Sequence, residues 1–155
     1  MAYFILKFAH IIGAMAILGT GAGIAFFMLM AHLTRDVPFI ARTAGVVVLA
    51  DLVFTATAVL LQPVTGYLLL RETGGSLVEP WVLVSLGLYA VAGAFWLPVV
   101  WMQRRMRDLA VAAAAAGVPL PDAYHRLFRL WFAFGLPGFG SVLLIVWLMI
   151  AKPPF

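Results

Sequence analysis

The chain has 155 residues, of which 65 % are apolar and only 10 % charged, with a mean hydropathy of +1.10. About a quarter of the residues in a soluble domain are charged, so this composition excludes an ordinary soluble globule and a disordered chain. Ten Lys and Arg against six acids give a net charge of +4, too few charges for a surface that follows nucleic-acid phosphates. Cysteine is absent, which excludes disulfides, iron–sulfur clusters and thiolate zinc sites.

Four apolar stretches are long enough to cross a bilayer, which takes about 20 residues of helix. In chain order they are Phe8–Thr34, Leu52–Leu70 with an extension back through Asp51 to about Gly45, Trp81–Met102 and Leu130–Ala151. Four spans leave little sequence for anything else. We therefore predict an all-α integral membrane four-helix bundle that forms a single domain over residues 1–155.

The links between these spans differ in length and composition. We expect a short polar loop over His32–Gly45 and a Gly-rich turn over Arg71–Pro80. In the long link Gln103–Arg129, the alanine run favours continued helix, and Gly117 favours a stop.

The basic residues predict the orientation of the bundle, because cytoplasmic loops carry an excess of Lys and Arg. The first and third loops hold seven of the ten: Arg35, Arg42, Arg104, Arg105, Arg107, Arg126 and Arg129. We therefore expect both termini on the periplasmic side of a bacterial inner membrane, which the chain crosses several times.

Several polar residues are predicted to share one depth in the outer half of the bundle. At 1.5 Å per residue, His10, Gln62, Tyr89 and Ser141 fall in one layer, and Lys7 shares the helical face of His10. Intramembrane polar side chains are costly and usually mark a site. Gly13 and Gly21 lie near the same face of the first span, where small residues either let helices pack closely or leave room for a flat ligand.

The other two histidines lie at the opposite end of the predicted bundle. His32 follows His10 by 22 residues, about 33 Å of helix, so the two cannot bind one metal ion. A haem on His10 would be five-coordinate, or ligated by a group other than His, or shared across a homodimer. A second layer of methionine and histidine side chains is predicted at this opposite end. Such side chains suit a soft metal such as Cu(I), although methionines also fill irregular gaps in packing. Its members are Met28, Met30, His32, Met102, Met106 and His125.

Two residues of the second span, Asp51 and Pro63, lead to further predictions. Asp51 is the only acid at an intramembrane position, where we expect an ion pair that locks helices together, with a proton relay as the alternative role. Its predicted partners are Arg104, Arg107 and Arg129. Pro63 removes the backbone hydrogen bond to the carbonyl of Val59. Two interpretations stay open: the carbonyl is available to a ligand, together with Gln62 and Thr65, or the proline only bends the helix around the bundle.

The sequence resembles a bacterial family of small predicted integral membrane proteins whose function is unknown. The resemblance covers nearly the whole chain, through LKFAHIIGA, QPVTG, EPWVLVSLGLY, WLPVVWMQRRMRDLA and VWLMIAKP. A more distant likeness rests on the segment from Leu6 to Ile12, through Lys7, His10 and Ile11. This segment is similar to the first helix of HemJ-type protoporphyrinogen oxidases and to membrane domains of the CopD copper-resistance type.

HemJ-type proteins bind haem b through a histidine of their first helix, so this resemblance implies that His10 is an axial haem ligand. After the histidine, the HemJ type has a Trp and a Leu-Phe-Tyr-Leu-Pro-Arg stretch, whereas this chain has GTGAGIAFFMLMAHLTRD. The resemblance therefore implies haem binding but does not extend to the porphyrinogen-oxidising activity. The leading hypothesis is a haem-b redox or electron-transfer protein with a quinone or a membrane protein as redox partner. Its predicted site residues are His10, Lys7, Gly13, Gly21, Gln62 and Tyr89.

Two other classes of function stay open at this point. One is a copper-handling or small-solute transport protein, and the other is a cofactor-free subunit of a membrane complex. The sequence shows no arrangement of nucleophile, base and acid, so a hydrolase is not predicted.

Overall fold

The computed structural model describes residues 1–153, which form five α-helices and no strand. The helices are α1 (Ala2–Thr34), α2 (Val37–Ala50), α3 (Ala56–Glu72), α4 (Pro80–Ala116) and α5 (Asp122–Ala151). A π-helical turn, Asp51–Thr55, joins α2 to α3, so that Val37–Glu72 forms one continuous span. Within residues 1–153, four helical segments are long and apolar enough to cross a membrane, which confirms the predicted four-helix bundle.

The predicted polar loop His32–Gly45 is wrong, because the chain is helical again from Val37. Only Arg35 and Asp36 connect α1 to α2. The Asp36 carboxylate accepts a hydrogen bond from the backbone N–H of Phe39 at 3.0 Å and thereby caps the start of α2. A proline in the first turn also favours this start, so α2 begins within a stretch that its polar composition marked as loop.

The end of α4 agrees with the prediction. The helix continues through the alanine run to Ala116, and Gly117 ends it with a φ of 64°, in the left-handed region that glycine adopts without strain.

At the opposite end of the bundle, residues 73–79 connect α3 to α4 through a turn built around Glu79. The Glu79 carboxylate accepts hydrogen bonds from the Ser76 backbone N–H at 2.8 Å and from Trp81 Nε1 at 2.7 Å. These two hydrogen bonds hold the pKa of Glu79 below its usual range, and the bond from Ser76 has the larger effect. Lys152 Nζ lies 5.2 Å from the centroid of the Trp81 ring, which places the end of α5 beside the start of α4.

The tightest packing lies at one end of the bundle. We call this the basic end, because the half of the bundle on this side carries seven of the ten Lys and Arg. The opposite end, where α1 begins and α5 ends, is the terminal end. The buried apolar cluster joins α1, α2, α4 and α5 in the basic half, with Met28, Ile40, Met106 and Tyr124 fully buried.

Towards the terminal end, α1 packs mainly on α3, and α4 mainly on α5. Large apolar side chains cover the outer surface of the helices, as in Phe4 (70 % exposed), Leu60 (72 %) and Ile150 (80 %). Such a surface contacts lipid when the helices span a bilayer.

Candidate functional site

His10 lies in the terminal half of α1 and faces α3. Its ring Nδ1 is 2.9 Å from the Thr65 hydroxyl oxygen. The Thr65 hydroxyl lies 2.9 Å from the carbonyl of Leu61 and 3.2 Å from that of Gln62, both in its own helix, and donates its one proton there. We assign the tautomer that keeps this bond, in which Nδ1–H donates to the Thr65 oxygen and Nε2 carries the lone pair.

Gln62 fixes the position of α3 against this turn of α1. Its amide nitrogen donates to the backbone carbonyl of His10 at 2.9 Å, and its side chain is 9 % exposed. Gly13 leaves the space that the amide needs, since a Cβ at residue 13 would lie 2.7 Å from Gln62 Nε2. Gly66 does the same for the imidazole, because a Cβ there would lie 3.2 Å from the His10 ring. Two glycines on facing helices therefore let His10 and Gln62 interlock.

The carbonyl that Pro63 leaves without an N–H is occupied by this chain itself. The Tyr89 hydroxyl of α4 donates a hydrogen bond to the carbonyl oxygen of Val59. The expectation that this carbonyl is available to a ligand is therefore wrong. In apolar surroundings a backbone carbonyl without a donor is costly, and Tyr89 is the polar group at the matching depth.

The remaining residues of the predicted layer stand apart from His10. Lys7 Nζ lies 5.6 Å from the centroid of the Tyr3 ring, one turn towards the terminal end. A Cβ at Gly21 would lie 3.6 Å from the Phe139 ring, so this glycine lies at the contact of α1 with α5. Ser141 donates to the carbonyl of Pro137 in its own helix at 2.8 Å. The structure thus brings Gln62 to His10 and Tyr89 to the same segment of α3.

The expected ion pair of Asp51 with an arginine is not formed within residues 1–153. Asp51 is 4 % exposed, and its Oδ1 accepts from the Trp96 indole N–H at 3.3 Å. With its amide in the orientation that satisfies both neighbours, Gln103 donates to Asp51 Oδ2 at 3.3 Å and accepts from Trp131 Nε1 at 3.2 Å. Two neutral N–H donors of α4 therefore replace the predicted guanidinium, and Trp131 of α5 supports one of them by donating to Gln103.

The spacing of Trp96 and Gln103 in the sequence is consistent with this hydrogen-bond network around Asp51. Trp96 and Gln103 are seven residues apart and therefore lie on one face of α4, two turns apart. The predicted link starting at Gln103 placed that residue outside the bundle, although a buried acid such as Asp51 needs donors inside it.

A third polar cluster lies at the basic end, where α1 and α5 meet. The His32 ring stacks on Phe128 with 3.9 Å between centroids, and the His125 ring lies 5.7 Å away. An open groove of about 890 Å³ runs past both histidines and along the end of α4. Within residues 1–153, His32 Nδ1 and the Tyr124 hydroxyl are buried without a hydrogen-bond partner.

The methionines of the predicted soft-metal layer are divided between core and surface. Met28, Met102 and Met106 belong to the buried cluster, whereas Met30 is 39 % exposed. In the described part of the chain, no group of three or more His, Cys, Asp or Glu is arranged to hold a metal ion.

Four long apolar helices with outward-facing apolar side chains define a multi-pass integral membrane protein. The chain belongs to the family described as predicted integral membrane protein (DUF2269), whose model matches residues 4–153. The resemblance to a family of small predicted integral membrane proteins is thus confirmed. No curated protein and no solved structure matches the chain. The likeness to HemJ-type and CopD-type proteins stays a prediction.

Proposed function

We propose that this protein binds haem b through His10 and serves in membrane redox or electron transfer. One observation carries the proposal: the hydrogen bond between His10 Nδ1 and Thr65 leaves Nε2 as the basic nitrogen. Histidines that bind metal in proteins almost always donate their other N–H to an oxygen, which fixes the tautomer and the ring orientation. Nε2 has no partner within residues 1–153 and is not sealed from the surface.

The other predicted site residues support His10 in this proposal. Gln62 holds the turn of α1 that bears His10, and Tyr89 holds the kinked segment of α3 that bears Thr65. Gly13 and Gly21 let the neighbouring helices approach α1. Lys7, one turn closer to the terminal end, supplies a positive charge at the depth of a haem propionate. When bound, haem iron supplies one-electron oxidation and reduction.

The orientation and the location of the protein belong to the same proposal. With the basic end in the cytoplasm, as the distribution of Lys and Arg favours, His10 lies in the periplasmic half of a bacterial inner membrane. A quinone or a membrane protein is then the class of redox partner that reaches it.

The test is an absorption spectrum of the protein purified in detergent from haem-replete cells, oxidised and reduced, with a pyridine haemochrome assay for the haem type. We expect a Soret band and b-type haem, and loss of both in His10→Ala. The matched controls are His32→Ala and His125→Ala, which we expect to retain the band because both residues lie at the basic end. Circular dichroism checks that each variant is folded.

A second variant separates a ligand from a merely structural histidine. Thr65→Val removes the acceptor of Nδ1–H but leaves Nε2, so we expect haem to bind about 10- to 100-fold more weakly. Absence of a Soret band in the wild type, or an unchanged band in His10→Ala, would refute the proposal. Elemental analysis of the same preparation distinguishes iron from the copper of the alternative function. A preparation with neither metal and a co-purified protein would favour the cofactor-free subunit.

A further inference from the structure

The π-helical turn Asp51–Thr55 places a carboxyl group inside the bundle without a cation beside it. Within residues 1–153, no Lys, Arg or His nitrogen lies within 4.0 Å of the Asp51 carboxylate. π-helical turns are rare and occur frequently at functional sites. An ionisable residue inside a membrane span is expensive to bury and is retained mostly where it has a function.

The surroundings of Asp51 accommodate both charge states of its carboxyl group. Trp96 and Gln103 donate N–H bonds to the two carboxylate oxygens, which favours the ionised form. The Thr55 hydroxyl, four residues further along the same turn, is buried and has no partner within residues 1–153. A hydroxyl in this place is able to donate to the ionised carboxylate of Asp51 and to accept the O–H of its protonated form.

A small cavity lies between Asp51 and Arg104. It has a volume of about 50 Å³, and Asp51, Trp96, Gln103 and Arg104 are among its lining residues. A cavity of this size and polarity accommodates one or more water molecules. Arg104 is exposed in the basic half of α4, so the charged side of the cavity faces towards the basic end.

We propose that Asp51 is a proton-binding site that exchanges protons with the basic end through this cavity. In the step, one proton bonds to a carboxylate oxygen of Asp51, and the group changes from an anion to a neutral acid without any change in oxidation state. A metal cation fits the same place poorly, because both carboxylate oxygens already accept N–H donors and the described residues hold no further acid nearby. This proposal is independent of haem binding at His10.

Few other charges act on this carboxyl group. Among residues 1–153, Arg104 of α4 is the only charged residue besides Asp51 that lines the cavity. The α1 helix has no titratable residue between His10 and His32, and Arg129 of α5 is exposed. The titration of Asp51 is therefore governed by burial, by the Thr55 hydroxyl, by its two N–H donors and by Arg104.

The test is infrared spectroscopy of the full-length protein in lipid vesicles over a range of pH. We expect the C=O stretch of a buried, protonated carboxylic acid, shifted in D2O, that disappears as the pH rises. Asp51→Asn removes this band, whereas the matched control Asp108→Asn retains it, because Asp108 is exposed. Trp96→Phe removes one donor to the ionised form, and we expect the midpoint of the titration to rise by about one to two pH units.

Several results would overturn the proposal. These are the absence of the band in the folded wild type at every pH, its persistence in Asp51→Asn, or loss of the band on adding Na⁺ at constant pH and ionic strength. If Asp51→Asn does not fold, the wild type and Trp96→Phe still decide, since equal midpoints would show that the titrating group is not Asp51.

Discussion

Replacement of Tyr89 by Phe removes the hydroxyl that satisfies the Val59 carbonyl above the proline of α3. Hydrogen bonds between transmembrane helices contribute about 0.6 kcal/mol on average and at most about 1.7 kcal/mol. Here the carbonyl is also left without a donor, because Pro63 has no N–H, and such an orphan group costs about 1 to 3 kcal/mol. We therefore expect Tyr89→Phe to lower the free energy of unfolding by about 1 to 2 kcal/mol.

A double-mutant cycle tests this explanation directly. Pro63→Ala restores a backbone N–H at the position from which a regular helix donates to Val59. In that background Tyr89→Phe should cost less than about 0.5 kcal/mol, which gives a coupling energy of about 1 kcal/mol between the two sites. The measurement is reversible unfolding of each variant in mixed micelles of detergent and SDS, followed by circular dichroism.

The matched control is Tyr67→Phe in the same helix as Val59. Tyr67 is 46 % exposed, and its hydroxyl has no hydrogen bond to another of the described residues, so we expect little change. Equal losses for Tyr89→Phe with and without Pro63 would refute the reasoning, because the hydroxyl would then act elsewhere. A loss of the same size in Tyr67→Phe would also refute it.

Two further substitutions test the contacts at the terminal end. Gly13→Ala places a Cβ 2.7 Å from Gln62 Nε2 and should break the hydrogen bond from Gln62 to α1, which lowers the unfolding free energy by about 1 kcal/mol in the same assay. The control is Gly19→Ala, which has open space around it and should be neutral or slightly stabilising. Equal effects of the two substitutions would contradict this prediction. Glu79→Gln tests the pH dependence. The pKa of Glu79 is depressed by a backbone N–H and the Trp81 indole, so its stabilisation is present above its ordinary pKa of 4.5 and is lost as the pH falls below that value. The difference in Tm between wild type and Glu79→Gln should therefore shrink on acidification, and a constant difference would contradict the assignment.

The sequence alone was sufficient to predict how the chain lies along the membrane normal. The number of spans, the stop at Gly117 and the shared depth of His10 and Gln62 all follow from hydropathy and a rise of 1.5 Å per residue. These properties depend on position along the chain, and a single sequence specifies position directly. The consequence of Pro63 was predictable as far as the orphan carbonyl, since the chemistry of proline is local.

The partners across the bundle were decided by the tertiary structure. Asp51 accepts hydrogen bonds from Trp96 and Gln103 instead of pairing with an arginine. The Val59 carbonyl accepts a hydrogen bond from Tyr89 instead of binding a ligand. Which face of each helix turns inward depends on rotation about its axis, and one residue changes that rotation by about 100°. The π-helical turn at Asp51 alters the rotation in the middle of the second span, and hydropathy does not report it. The sequence therefore determined the depth of each polar group, and helix packing determined which of these groups meet.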